Sequence, residues 1–533
     1  MRAKLGIALV ALLAALLAAG AAGAKSEKHA KAGGTLNVDL STDIDYTDPA
    51  LSYLSSGWEL EYATCLKLMN YPDGLGPKTA QLQPEAAAGF PKVSNNGKTY
   101  DFTINTTFTK FSDGTPVTAA AFKAAFDRDA DPKMQSPAIA FMSDVVGANT
   151  SPVSGVVVKG NHLVVTLVKA SPDFLARVAM PFFCAIPPNT AHDPNGVNTL
   201  PGAGPYYVSA RIPNRSITLK TNPYYKGKRP HNASQIQYTI GNSLDAIYLR
   251  VQQGASDYAA QGIPPASYAE AAQKYGINKG QFWVEPLLST SYLAFNTSRG
   301  VFKNNVPLRK AVNNAIDRRA LLAQSGYLAG KRSDQILPPG MAGFRDADLY
   351  PLKQPNIVAA KKLAQGHSGD GNVVLYESNR GAAPLRAQII QYNLSQIGLK
   401  VDTHLFARAV QIQKEGTRGE PFDIADEQWG ADYADPYDFI NVLLDGNNIQ
   451  ASNNSNFAYF NDPKFNKLML QASLMSGNAR YTAYGNLDVQ IMQQGVPWAP
   501  RANANNRMLL SSRVGCFSYS AIYTVDLAAL CFK

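Results

Sequence analysis

Residues 429–439 bring Trp429, Asp432, Tyr433, Asp435, Pro436, Tyr437, Asp438 and Phe439 into one short stretch. Aromatic side chains exclude water, and a carboxylate kept ionised between them attracts a cation more strongly than in bulk solvent, where the interaction is screened. An ammonium group is the fitting guest. The competing reading is an irregular surface loop in which Asp435-Pro436 supplies turn chemistry. Other constellations carry less. Gly202 and Gly204 lack the third glycine and following helix of a phosphate-binding loop, and in Gly326-Tyr327-Leu328-Ala329-Gly330-Lys331 the spacing is one residue short and Arg332 stands where Ser or Thr is required. The chain has no Gly-x-Ser-x-Gly, no His-Glu-x-x-His and no evident catalytic Cys-His arrangement, so a secreted hydrolase is a remote alternative and an enzyme is not expected. Six scattered His and no Cys-x-x-Cys pair give no metal site, and no cofactor is expected.

A chain of 533 residues supplies several cores, and its 26 Tyr, 33 Pro and 41 Gly suit a loop-rich mixed fold with aromatic binding surfaces. The net charge of +10 raises the question of nucleic acid, but no Lys/Arg run after the leader exceeds two residues and none forms a stripe on a helical face. No nucleic-acid partner is expected. Residues 1–24 form a short basic end and an apolar run closing in Ala22-Gly23-Ala24, which matches a cleaved export signal; a retained anchor is the alternative. No Cys follows that run to carry a lipid. An exported, periplasmic or secreted chain makes disulfides the default for its four Cys: Cys516 with Cys531, and Cys65 with Cys184, against a reading as buried free thiols.

The supporting elements follow from periodicity. Residues 34–40 read as a first strand and 58–69 as a helix; Tyr100, Phe102 and Ile104 alternate as a half-buried strand does. Thr118 is placed to cap a helix over 119–128, a hairpin turns at Gly160-Asn161, and Ser171-Pro172 opens another helix. Gly202-Ala203-Gly204-Pro205 marks a close backbone crossing. From Leu293 a strand, a helix from Pro307, a strand at 373–376, a helix over 384–397 and a strand at 400–406 suggest a parallel layered lobe. Asp462-Pro463 opens one further helix, and another runs from Tyr481 until Gly495 and Pro497 stop it.

Four pieces in this order resemble one known family: Gly97-Lys98-Thr99-Tyr100 with residues 111–118; Gly202 to Tyr207 with Asn222-Pro223-Tyr224-Tyr225; 293–297 with Arg309-Lys310-Ala311 and Ala315-Ile316-Asp317-Arg318; and 429–439. The chain is similar to the extracytoplasmic solute-binding proteins of peptide ABC transporters, the dipeptide- and oligopeptide-binding proteins. The resemblance implies an α/β, two-lobed periplasmic-binding-protein fold of class II type with the ligand cleft between the lobes. It places a lobe I core over 25–70, 200–290 and 503–533, an extra subdomain over 71–199 and lobe II over 291–502. It further implies a monomer that captures a peptide by hinge closure and delivers it to membrane permease subunits. Asp432 is the position matching the family's ammonium anchor, with Ala431 beside it and Trp429 and Tyr433 as pocket walls. Asn379, Arg380 and Arg386 occupy a region that helps set ligand length, where an Arg can clamp a carboxylate. Ser55, Ser56 and Trp58 are expected at the cleft, and for Trp498 core packing and pocket lining both fit. Asn95-Asn96 and a stretch over 72–79 depart from the family pattern. Abundant Tyr and Trp also suit an oligosaccharide or another small solute as ligand.

Overall fold

The computed structural model describes residues 33–72, 81–105 and 110–533; the expected leader and nearly all of the 72–79 stretch lie outside the described residues. The first sheet is organised by Thr35–Leu40, whose Leu36, Val38 and Leu40 are buried. It pairs in parallel with Gln235–Ile240 and Tyr258–Ala259, and Ser216–Thr221 and Tyr206–Ile212 extend the sheet antiparallel. The helix packed on it, Ser55–Thr64, is buried from Gly57 to Thr64, including Glu59 and Glu61. It is shorter than the expected 58–69 helix and starts earlier, because Cys65 already has extended backbone.

A second, wholly antiparallel sheet of Lys92–Ser94, Thr99–Thr103, His162–Thr166 and Val156–Lys159 forms the extra subdomain. The helix Ala119–Asp129 buries Phe122, Ala125 and Phe126. Thr118 sits at its start in extended conformation, yet its side chain makes no capping bond. The helix expected after Ser171-Pro172 is a single turn, Phe174–Arg177.

The third sheet has the order Phe282–Pro286, Trp498–Leu509, Ser289–Phe295, Ile424–Gly430, Asn372–Ser378, Lys400–Phe406, with Gly330–Arg332 also paired to Trp498–Leu509. It is mixed, which corrects the parallel expectation. Ile424–Gly430 lies between the two strands read as parallel neighbours, antiparallel to Ser289–Phe295 and parallel to Asn372–Ser378. The physical reason is that the chain pairs Gly330–Arg332 with Trp498–Leu509 between Ser289–Phe295 and Asn372–Ser378. These two are therefore not successive strands of one right-handed strand–helix–strand unit, the arrangement that enforces parallel pairing. The twelve-residue strand Trp498–Leu509 bonds to Ser289–Phe295 with its first half and to Phe282–Pro286 with its second, and Leu510 bridges to Tyr258 of the first sheet. These are the crossings between the two lobes.

The close approach read at Gly202-Ala203-Gly204 is present. The Gly204 amide donates to Thr64 O at 2.8 Å, and a Cβ on Gly204 would stand 2.6 Å from the Thr64 carbonyl carbon and oxygen. Backbone cannot yield as a side chain end can, so Gly204→Ala is expected to cost about 1–3 kcal/mol. A urea-unfolding midpoint equal to that of the parent would contradict it.

Candidate functional site

The strand Ile424–Gly430 ends at the wall of the interlobe cavity, and three carboxyls then shape the turn into the helix Tyr437–Leu444. Asp438, in the first turn of that helix, accepts the Asp432 amide N–H at 3.0 Å and the Trp429 indole N–H at 3.2 Å. Burial, with the Asp432 charge close by, holds the Asp438 carboxyl well above the usual range. Asp435 accepts the Tyr437 amide at 2.9 Å and two bonds from Arg480 Nη1 at 2.7 and 2.8 Å. These two acids are scaffold. They turn the third, Asp432, toward the other lobe.

Asp432 accepts one side-chain bond, from the Tyr53 hydroxyl at 3.0 Å, and among the described residues no Lys, Arg or His forms an ion pair with it. Burial pushes its carboxyl up to about 7, with the Tyr53 bond opposing. The two following residues also reach across: the Tyr433 hydroxyl bonds Asp173 at 3.2 Å, and the Ala434 amide donates to the Tyr71 hydroxyl at 3.3 Å. Three consecutive residues of one lobe thus hold the other.

Asp432 faces a cavity of about 600 Å³ between the lobes. Ser55, Ser56, Trp58 and Ala431, all expected at the site, line it together with Tyr53 and Glu59. Gln428, Asn505 and Arg507 connect it to a second space of about 550 Å³, lined by five Arg (380, 386, 408, 501, 507) and three carboxyls (Glu377, Asp426, Glu427). Asp426 accepts from Arg386 and Arg501, each at 2.9 Å, and Arg408 pairs with Glu427. Glu377, buried beside Asp426, is driven up while Asp426 is held down by the two guanidiniums, so this pair carries about one negative charge. The cleft is net positive. Arg386 spends Nε and Nη2 on Asp426 and Glu377, whereas the exposed Arg380 side chain makes no ion pair among the described residues.

The other expected residues lie elsewhere. Trp429 does not line the cavity; its ring packs on the lobe II core while its N–H is held by Asp438. Tyr433 is buried in the core of the extra subdomain, and Trp498 is buried and stacked on Tyr292 with centroids 3.6 Å apart. Asn379 donates its amide to Phe406 O between the two cleft residues Ser378 and Arg380. Both expected disulfides are formed, Cys65–Cys184 and Cys516–Cys531. Tyr53 and Glu59 are the residues that sequence reasoning missed. Tyr53 precedes a helix taken to start at Trp58, and Glu59 sits inside that helix with nothing in its neighbours to mark it.

Similarity to known proteins agrees with this geometry. The model for bacterial extracellular solute-binding proteins, family 5 (middle), matches residues 81–451. The probable D,D-dipeptide-binding periplasmic protein DdpA of Escherichia coli is 26% identical over 448 residues, 82% of each chain. The oligopeptide-binding protein OppA of Bacillus subtilis is 25% identical over 471 residues, 84% of this chain and 83% of its own. Among solved structures, clavulanic acid biosynthesis oligopeptide binding protein 2 superposes with a TM-score of 0.87 at 22% identity, covering 94% of this chain and 96% of the other, which speaks for the fold. Since the family match spans far more than half of the 533 residues, the chain belongs to the bacterial extracellular solute-binding proteins, family 5.

Proposed function

We propose that this protein is the extracytoplasmic substrate-binding component of an ABC importer for peptides, enclosing its ligand between the lobes and delivering it to the membrane permease. The observation that carries the reading is Asp432: a carboxyl at an interlobe cavity that, among the described residues, has one hydroxyl donor and no ion-pair partner. A ligand's α-ammonium supplies that cation. The Arg-rich cleft continuous with the cavity suits the opposite end, with Arg380 the guanidinium left uncommitted for a carboxylate. An extended peptide laid from acidic to basic end is thereby read by its termini. The peptide specificity named for the two curated relatives supports the same assignment. Export fits the family and the basic, apolar start of the sequence, and among the described residues no helix is long and apolar enough to cross a membrane.

Native mass spectrometry of protein purified from its own compartment tests the ligand class directly, and calorimetry tests the anchor. A co-purified species with a primary amine is expected, and N-acetylation of a bound peptide is expected to weaken it roughly 30-fold or more by removing a charged partner of a desolvated carboxylate. A released ligand without an amine, such as an oligosaccharide, would sink the peptide reading.

A further inference from the structure

Glu59 is a second carboxyl on the wall of the same cavity, carried by the helix Ser55–Thr64 and 2% exposed. Its two oxygens are used unequally. Oε1 accepts from the Tyr258 hydroxyl at 3.0 Å, the Thr524 hydroxyl at 2.7 Å and the Val525 amide at 3.2 Å. Oε2 receives no hydrogen bond among the described residues. The three bonds to Oε1 fix the side chain and join the helix to the C-terminal segment, so the idle oxygen is held in place. Among the described residues Arg507 is the one basic residue on the wall, and it donates to the Ser325 and Tyr327 carbonyls while lying over the Tyr268 ring at 4.0 Å. Asp432 and Glu59 come from different elements of that wall, and no hydrogen bond joins them among the described residues. Burial pushes Glu59 up to about 7 against its three donors, so a cation arriving at Oε2 would hold the ionised form.

Resting on the peptide reading of this cavity, we propose that Glu59 is a second cation subsite, and that the protein selects peptides carrying a basic side chain near the amino terminus in addition to the α-ammonium held at Asp432. An acidic side chain at that position meets like charge and a buried acceptor, and an aliphatic one leaves Oε2 without a donor.

The test uses the full chain and four tripeptides, Lys-Ala-Ala and Ala-Lys-Ala with their norleucine isosteres, by calorimetry at pH 7.5. At least one lysine peptide is expected to bind roughly tenfold or more tighter than its isostere, the worth of one charge-assisted hydrogen bond. Glu59→Gln, which keeps an oxygen for the three donors at Oε1, is expected to erase that preference, so that lysine and norleucine peptides bind it alike. Equal binding of lysine and norleucine peptides by the parent protein overturns the proposal without any variant, as does a preference that survives in Glu59→Gln. Failure of the peptide reading looks different: N-acetylated controls would then bind as well as free amines, or none of the four would bind.

Discussion

Asp432→Asn is expected to weaken a free-amine peptide lacking basic side chains by about 2–5 kcal/mol, and at the same time to stabilise the empty protein. The two effects share one cause. A carboxyl at about 7 in the empty fold, against about 3.9 in an unfolded chain, binds a proton through the intervening window that the unfolded state has released. Stability therefore falls as pH rises through that window, and the full penalty stands above about pH 7. Asn removes it. The variant should be more stable than the parent at pH 8 by about 1–2 kcal/mol, and so melt higher, a discounted figure because the carboxyl still touches cavity solvent, and the gap should close toward pH 4. Binding carries the opposite sign. The ligand's ammonium needs the ionised form, so parent affinity should drop roughly tenfold per unit as pH falls below about 7, while the variant stays flat. Calorimetry and thermal melts over pH 5–8 check both arms. Unchanged affinity in the variant would remove Asp432 from the site, and a lower melting point at pH 8 would mean that the carboxylate is satisfied by the protein itself.

That this residue was legible in sequence, and its partners less so, follows from what each signal encodes. Asp432 stands among aromatics and next to Asp435-Pro436, so both its neighbourhood and the resemblance single it out. The same crowding leaves Trp429 and Tyr433 ambiguous in sequence, and both pack into cores. Aromatic residues beside a site read equally well as walls or as packing, and here the Tyr433 hydroxyl finds Asp173 some 260 positions away in sequence. Strands with clean alternation, such as Thr99–Thr103, were readable from period alone. Ile424–Gly430 was not, because its buried Asp426 and Glu427 break the apolar pattern; their partners Arg386, Arg501 and Arg408 come from other elements. Nothing in the neighbours of Glu59 and Tyr53 marks them; it is the fold that brings both to the cavity that Asp432 lines. A sequence records which groups can ionise, whereas the fold decides which of them go without a partner.

Replacing Cys65 and Cys184 together by Ala is expected to cost more stability than replacing Cys516 and Cys531. The first bond closes a loop of 119 residues and the second one of 15, for which restriction of the unfolded chain amounts to about 5 and about 3 kcal/mol. Packing acts in the same direction, since Cys65 and Cys184 are both buried while Cys516 is exposed. Urea midpoints of the two double variants under oxidising conditions check the order, and a reversed order would refute it. The larger loss also reaches the site. Cys184 ends the turn Pro181–Phe183, whose Phe182 contacts Tyr53 and Trp58 with ring centroids 6.0 and 5.7 Å apart. Tyr53 in turn donates to Asp432. The cross-link therefore supports, through Phe182, the Tyr53 hydroxyl that bonds Asp432, the carboxyl proposed as the ammonium anchor. At temperatures where the Cys65→Ala/Cys184→Ala protein is still folded, it should bind a free-amine peptide more weakly than the parent, whereas the C-terminal double variant should not.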